Sequence, residues 1–79
     1  IVHLVYELKA TALLNLGDYA GAIADSKKTI EISPKDPAPY LLKGKAELQK
    51  GLKEDAMRSF NMARSLGSKE AEIYMQKNI

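Results

Sequence analysis

The chain has 79 residues, of which 46% are hydrophobic and 28% charged, so it is too apolar for intrinsic disorder. Its 12 basic and 10 acidic residues are interspersed, and the formal net charge of +2 gives no electrostatic argument for a nucleic acid or membrane partner. The absence of cysteine excludes disulfides, thiol catalysis and cysteine metal sites.

The first predicted element is a helix from about Val2 to Leu16, a stretch with neither glycine nor proline. Apolar side chains occur nearly all round this helix, so we expect more than one neighbour to bury it. Gly17 ends it, because glycine accepts the left-handed conformation that closes a helix, and Asp18 is a natural cap for the next one. The second helix is predicted from Tyr19 to Ile32 and is amphipathic, with one face packed against a neighbour and the other exposed to solvent.

The segment from Ser33 to Pro37 is the predicted turn between two hairpins, with Asp36 as a cap and Pro37 at the first helical position. The third helix runs from there to about Lys50, and Gly51 breaks it. A fourth helix is predicted from about Lys53 to Leu66 and a fifth from about Lys69 to Asn78, with Gly67 and Ser68 between them.

A 34-residue period relates the two halves of the chain. The stretch from Gly17 to Ile23 returns as Gly51 to Met57, with a turn glycine and a small alanine five residues later in each copy. The same shift relates tyrosines and lysines: Tyr6, Tyr40, Tyr74, Lys9, Lys43 and Lys77. Self-similarity at this period indicates an array of helical hairpins, each of which buries its apolar faces against the next. We therefore predict an all-α protein with five helices.

The repeated residues resemble the signature of the tetratricopeptide repeat family over essentially the whole chain. The first copy shows Tyr6, Ala10, Gly17, Tyr19, Ala22, Thr29 and Pro34, and the second shows Tyr40, Gly44, Gly51, Ala56, Phe60 and Ala63. Ser26 departs from the pattern, because a large side chain is usual there. The resemblance implies a right-handed superhelical array of antiparallel hairpins, a single domain over 1–79. Its parts would be repeat 1 at 3–36, repeat 2 at 37–70, and a capping or partial third-repeat helix at 69–79.

The segment from Ala22 to Pro34 is similar in style to repeats of chaperone-associated co-chaperones. Members of that group hold the acidic C-terminus of a chaperone in a two-carboxylate clamp of lysine, asparagine and arginine. In one register the clamp positions hold Leu8, Ala38 and Leu42, and in the other they hold Glu7, Thr11, Leu42, Glu72 and Gln76. Carboxylates are not desolvated favourably without charged partners, so we expect a co-chaperone-like chain without the clamp.

The resemblance also places a groove along the first and third helices. The predicted partner-binding residues are Leu8, Thr11, Leu41, Leu42, Lys45 and Gln49. An apolar lining with polar tips suits an amphipathic helix or an extended apolar peptide, whose register Lys45 and Gln49 would fix. The alternative is that Leu8 and Leu42 pack inside the solenoid or against other repeats.

These features predict a non-catalytic module that binds a protein or peptide partner, with chaperone machinery as one candidate. The alternative is a structural segment of a longer repeat scaffold or co-chaperone, in which the exposed apolar ends pack on other repeats or support weak self-association. We expect no active site, cofactor or metal, since the chain has no phosphate loop, nucleophile elbow or spaced set of ligands. A cytoplasmic location is a further expectation, and the start at Ile1 indicates a fragment of a longer protein.

Three other features of the sequence are better explained by structure than by a catalytic or ligand-binding role. His3 is the only histidine, and no cysteine lies beside it to form a metal site. The three repeated tyrosines, Tyr6, Tyr40 and Tyr74, are better explained as packing residues of the core than as residues that stack on RNA bases. We expect the lysines of the basic cluster to lie on a solvent-exposed face and not to contact a phosphate or an acidic peptide. The cluster comprises Lys43, Lys45, Lys50 and Lys53.

Overall fold

The computed structural model describes residues 1–77, and within that range it contains five α-helices and no strand. The helices are α1 Val2–Leu16, α2 Tyr19–Ile32, α3 Pro37–Gln49, α4 Lys53–Ser65 and α5 Lys69–Lys77. The predicted bounds of α1 and α2 are confirmed at both ends, and α3 and α4 each end one residue earlier than predicted. Asn78, the predicted end of the last helix, lies outside the described residues.

Glycines in the left-handed conformation close the first helix of each hairpin. Gly17 has φ 86° after α1, and Gly51 has φ 82° after α3, a region in which a Cβ atom is strained. Side-chain oxygens cap the helices that follow two of the turns. Asp18 Oδ1 accepts a hydrogen bond from the Gly21 N–H at 3.0 Å, and Asp36 Oδ1 accepts one from the Ala38 N–H at 3.1 Å.

The helices pack in chain order, each against the next, and α1 also contacts α3. The apolar core lies between α3, α4 and α5, where Ala56, Phe60, Ala63 and Ala71 are fully buried. The partly buried side chains around this cluster are Tyr40, Leu41, Leu48, Tyr74 and Met75. The first hairpin has a smaller interior, because the buried residues of α1 and α2 are Ala10, Ala22, Ser26 and Thr29.

Two neighbours, α2 and α3, pack against α1 as expected, but they leave most of its apolar surface exposed. Only Ala10 of this helix is buried, and five large apolar residues are exposed: Val2, Leu4, Val5, Leu8 and Leu16. The reason is that α2 and α3 cover one side of α1, whereas its other side has no helix of the described chain against it. No helix among residues 1–77 is long and apolar enough to cross a membrane.

Candidate partner-binding cleft

A cleft of about 250 Å³ opens between the C-terminal halves of α1 and α3 and the face of α5. Its lining residues are Leu14, Asn15, Tyr19, Lys45, Leu48, Gln49 and Tyr74. Two of these pairs, Leu14 with Leu48 and Asn15 with Gln49, are related by the 34-residue repeat. The repeat therefore supplies equivalent leucines and amides from two successive helices to one cleft.

Two local features place the aromatic walls of the cleft. Gly17 turns the chain sharply after α1, and this brings Tyr19, the first residue of α2, beside the end of α1. The Tyr74 ring is fixed in position because it stacks on the ring of the buried Phe60. The two centroids are 5.2 Å apart and the ring planes are 11° from parallel. Stacked aromatic pairs of this kind add to the stabilisation that burial supplies, so α5 is fixed against the second hairpin.

Lys45 is the one cationic residue in the lining of this cleft. Its Nζ atom lies 2.8 Å from Oε2 of Glu70 and 5.3 Å from the centroid of the Tyr74 ring. The lysine side chain is 24% exposed and the Glu70 side chain 55% exposed. Because the carboxylate is well solvated, this ion pair is of the weak, exchangeable kind.

The structure brings two of the six sequence-predicted site residues together in the cleft, Lys45 and Gln49. Thr11 is exposed on α1, and its hydroxyl donates a hydrogen bond to the Glu7 carbonyl oxygen at 3.0 Å. Leu41 is half-buried against the α3–α4–α5 core. Leu8 is 71% exposed on α1, outside the cleft lining.

Leu42 is only 8% exposed, so its side chain offers almost no surface to a partner. Its burial agrees with the alternative that this leucine packs inside the protein, and we leave it out of the proposed contact surface. Leu8 and Leu42 occupy equivalent positions of the two repeats, yet their exposure differs almost ninefold. The difference arises because α3 has helices on both sides, whereas α1 has them on one.

The six predicted site residues do not include five that line the cleft: Leu14, Asn15, Tyr19, Leu48 and Tyr74. The two tyrosines were read as signature packing residues, and they do pack, but each also presents part of its surface to the cleft. The 34-residue equivalence of Leu14 and Leu48 was a usable signal. These two leucines lie in the last turns of α1 and α3, next to Asn15 and Gln49.

The expectation of a solvated basic face is wrong for Lys43. Its Nζ atom donates hydrogen bonds to Oε2 of Glu47 at 2.9 Å and to Oγ of Ser59 at 3.2 Å. The Ser59 hydroxyl in turn donates to Oε1 of Glu47 at 2.6 Å, and Glu47 is 5% exposed. These three side chains form a closed, mostly buried network between α3 and α4, which is a structural role and not a binding one.

Glu7 carries a half-buried carboxyl group on α1. Partial burial, followed by the facing carboxyl group of Asp36, raises the pKa of Glu7 above its ordinary value. Its Oε1 atom is buried without a hydrogen-bond partner among residues 1–77. Within the same residues no group of three or more histidine, aspartate and glutamate side chains is placed to hold a metal ion.

Five helices packed in chain order around an open cleft define an all-helical protein. No protein-family model matches the chain, and no solved structure matches it. Among curated proteins, it is 31% identical over 68 residues to a bovine (Bos taurus) protein described as "Protein SGT1 homolog". The match covers 86% of this chain and 20% of that protein, so the chain spans about a fifth of the length of this relative.

Proposed function

We propose that this chain is a non-catalytic interaction module of the tetratricopeptide repeat type, which binds an extended segment of a partner protein in the cleft. The observation that carries the proposal is the lining of the cleft, in which two tyrosines, two side-chain amides and a lysine surround two leucines. The 34-residue repeat supports the same function class, and the similarity to the bovine protein is compatible with a protein-interaction role.

The size and polarity of the cleft define the part of a partner that it takes. A volume of about 250 Å³ lies below the usual range for small-molecule pockets, roughly 300–1,000 Å³, and suits one or two side chains of a peptide. Leu14 and Leu48 supply the apolar contact for such a side chain. The amides of Asn15 and Gln49 each offer donors and an acceptor, which match the N–H and C=O groups of an extended backbone.

Lys45 adds selectivity for an acidic group on the partner. A partner carboxylate can take the place of Glu70, because the existing ion pair is exposed on its glutamate side and is readily exchanged. A single lysine neutralises one carboxylate, which is fewer than the two that a carboxylate clamp holds. The proposed partner is therefore an extended segment with one acidic residue beside a buried apolar or aromatic one.

The direct experiment is selection of random 12-residue peptides displayed on phage against the isotope-labelled domain, followed by amide NMR titration with the selected peptides. We expect saturable shifts at Asn15, Tyr19, Gln49 and Tyr74. The double variant Lys45→Ala, Gln49→Ala should weaken binding by about tenfold or more, the loss expected for a charge-assisted hydrogen bond and a neutral one together.

Lys27→Ala is the matched control, since Lys27 is an exposed lysine on α2 outside the cleft. It removes the same charge and should leave the affinity unchanged. Equal binding by the wild type and the double variant would place the site elsewhere on the molecule. An acidic peptide ending Glu-Glu-Val-Asp tests the missing clamp separately, and we expect no saturable shift with it.

A further inference from the structure

The helix α5 begins two residues earlier than its equivalent in the preceding repeat. The first residue of α3 is Pro37, which is equivalent to Ala71, whereas α5 begins at Lys69. The cause is local, because the turn before α3 contains Pro34 and the equivalent position before α5 holds Ser68. The Ser68 hydroxyl oxygen accepts a hydrogen bond from the Ala71 N–H at 3.1 Å and so caps α5 at this earlier position.

The early start of α5 changes the role of an acidic residue. Asp36 caps α3, because its Oδ1 atom accepts a hydrogen bond from the Ala38 N–H at 3.1 Å. The equivalent residue one repeat later, Glu70, lies inside the first turn of α5, where Ser68 is already the cap. The Glu70 carboxylate instead extends towards α3, and its Oε2 atom lies 2.8 Å from Nζ of Lys45.

The first repeat packs against the second without a corresponding ion pair. The residue equivalent to Lys45 is Thr11, which is exposed and whose hydroxyl donates to the Glu7 carbonyl oxygen. The packing of successive repeats therefore does not require a cation at this position. Because the Glu70 side chain is 55% exposed, the ion pair of Lys45 and Glu70 also adds little to stability. Its position beside the cleft is the better explanation for it.

We propose that Glu70 determines the specificity of the cleft, as an internal carboxylate that occupies Lys45 until a carboxylate of the partner displaces it. This role rests on the proposed function and concerns the regulation of the same site. The Nζ atom of Lys45 contacts two groups of α5 at once, the Glu70 carboxylate and the Tyr74 ring, whose centroid is 5.3 Å away. Glu70 and Tyr74 are four residues apart and so share one face of α5. The same helix face therefore supplies a wall of the cleft and its internal competitor.

Competition by Glu70 selects partners that combine an acidic group with an apolar one. A partner that offers a carboxylate alone exchanges one exposed ion pair for another and gains little. A partner that adds an apolar or aromatic side chain also buries it against Leu14 and Leu48, and this contact has no internal competitor. The apparent affinity falls by the fraction of molecules in which Lys45 is unpaired. An exposed pair formed in about three quarters of the molecules reduces the affinity about fourfold.

The test compares Glu70→Ala with the wild type in binding of the 12-residue peptides selected against the wild type. We expect Glu70→Ala to bind these peptides about fourfold more tightly, because Lys45 is then always available. Glu72→Ala is the matched control, since Glu72 is an exposed acid of α5 outside the cleft lining, and it should leave the affinity unchanged. The gain should vanish in the Lys45→Ala background. It should also vanish with peptides whose acidic residue is replaced by its amide.

A second measurement needs no peptide. A double-mutant cycle of Lys45→Ala and Glu70→Ala in urea unfolding should give a coupling of about 0.8 kcal/mol, which is the same fourfold factor converted to free energy. Absence of coupling would overturn the proposal, because Glu70 would then not occupy Lys45 in the free protein. A gain in affinity that persists in the Lys45→Ala background would also overturn it.

The two proposals for the cleft fail in different ways. Equal peptide affinity of the wild type and Glu70→Ala would overturn the role of Glu70. The proposed function would stand in that case if the double variant Lys45→Ala, Gln49→Ala still weakened binding. Equal binding by the wild type and that double variant would instead contradict the proposed function, and the role of Glu70 with it.

Discussion

The ring of Phe60 lies so close to the backbone of Gly44 that a Cβ atom placed on Gly44 would stand 2.7 Å from ring atom Cε1. One repeat earlier the equivalent residues are Ser26 and Ala10, both fully buried. In the second repeat a glycine, Gly44, faces a large side chain, Phe60. The equivalent pair in the first repeat, Ala10 and Ser26, consists of two small residues. This exchange explains how Ser26, a departure from the usual pattern, is accommodated in α2.

Gly44→Ala should destabilise the protein although alanine is the better helix former. The substitution gains about 1 kcal/mol of helix propensity, but Phe60 is fully buried and stacked on Tyr74, so its ring cannot move aside. We expect a net loss of about 1 kcal/mol, because overpacking costs roughly 1–3 kcal/mol. Urea unfolding measures it, and the background variant Phe60→Ser is the control. In that background Gly44→Ala should stabilise, and stabilisation in the wild-type background would show that the contact relaxes freely.

Leu42→Ala and Leu8→Ala form a matched pair at equivalent repeat positions. Leu42 is 8% exposed and Leu8 is 71% exposed, so only the first truncation leaves a cavity. We expect a loss of about 2–4 kcal/mol in the free energy of unfolding for Leu42→Ala. The loss for Leu8→Ala should be below about 0.5 kcal/mol. Similar losses for the two variants would mean that the face of α1 that carries Leu8 is already covered in solution.

Helix positions were predictable from the sequence because local signals determine them. Gly17, Gly51, Asp18 and Asp36 act within one turn of the helices they end or cap, and the structure places them as expected. The bounds of α1 and α2 were predicted at both ends for the same reason. The five-helix, all-α content follows from these signals without any tertiary information.

The site was less predictable, because exposure depends on which neighbour each helix has. Leu8 and Leu42 have the same residue type and the same repeat position, and only the packing of whole hairpins separates them. Lys43 looked like one of several surface lysines, whereas its partner Ser59 is 16 residues away on another helix. The sequence assigns Tyr74 to the core. In the structure it lies at the edge of the core, where it packs against the core cluster and also lines the cleft.

Lys43→Met should cost far more stability than Lys9→Met, its equivalent in the first repeat. Removal of the Lys43 ammonium group leaves the carboxylate of Glu47, 5% exposed, with Ser59 as its remaining hydrogen-bond partner. We expect a loss of about 3 kcal/mol, the lower end of the roughly 3–5 kcal/mol for breaking a buried ion pair, because the Lys43 side chain is 21% exposed. Lys9 pairs with Asp25 at 3.7 Å and its side chain is 60% exposed, so its loss should cost at most about 1 kcal/mol.

Thermal and urea unfolding of the two lysine variants distinguish a buried network from a surface one. The double variant Lys43→Met, Glu47→Leu is the control, since it removes both charges and should recover much of the lost stability. Failure of the second substitution to recover any stability would show that Lys43 acts through packing of its alkyl chain and not through Glu47.

Glu7→Gln should stabilise the protein at neutral pH and have little effect in acid. Burial and the facing Asp36 raise the pKa of Glu7 in the folded state above its ordinary value of 4.5, so the folded state holds this proton more tightly than the unfolded state does. The wild type therefore loses stability as the pH rises from the ordinary value through the raised one, and the penalty is complete above it. Glutamine carries no charge at any pH, so the variant lacks this loss.

Urea unfolding at a series of pH values measures the difference, which should be near zero in acid and grow to a plateau. Glu31→Gln, an exposed carboxylate on α2, is the control for the removal of one negative charge. A constant difference between wild type and Glu7→Gln across the whole pH range would show that the gain comes from the new amide and not from the titration of Glu7.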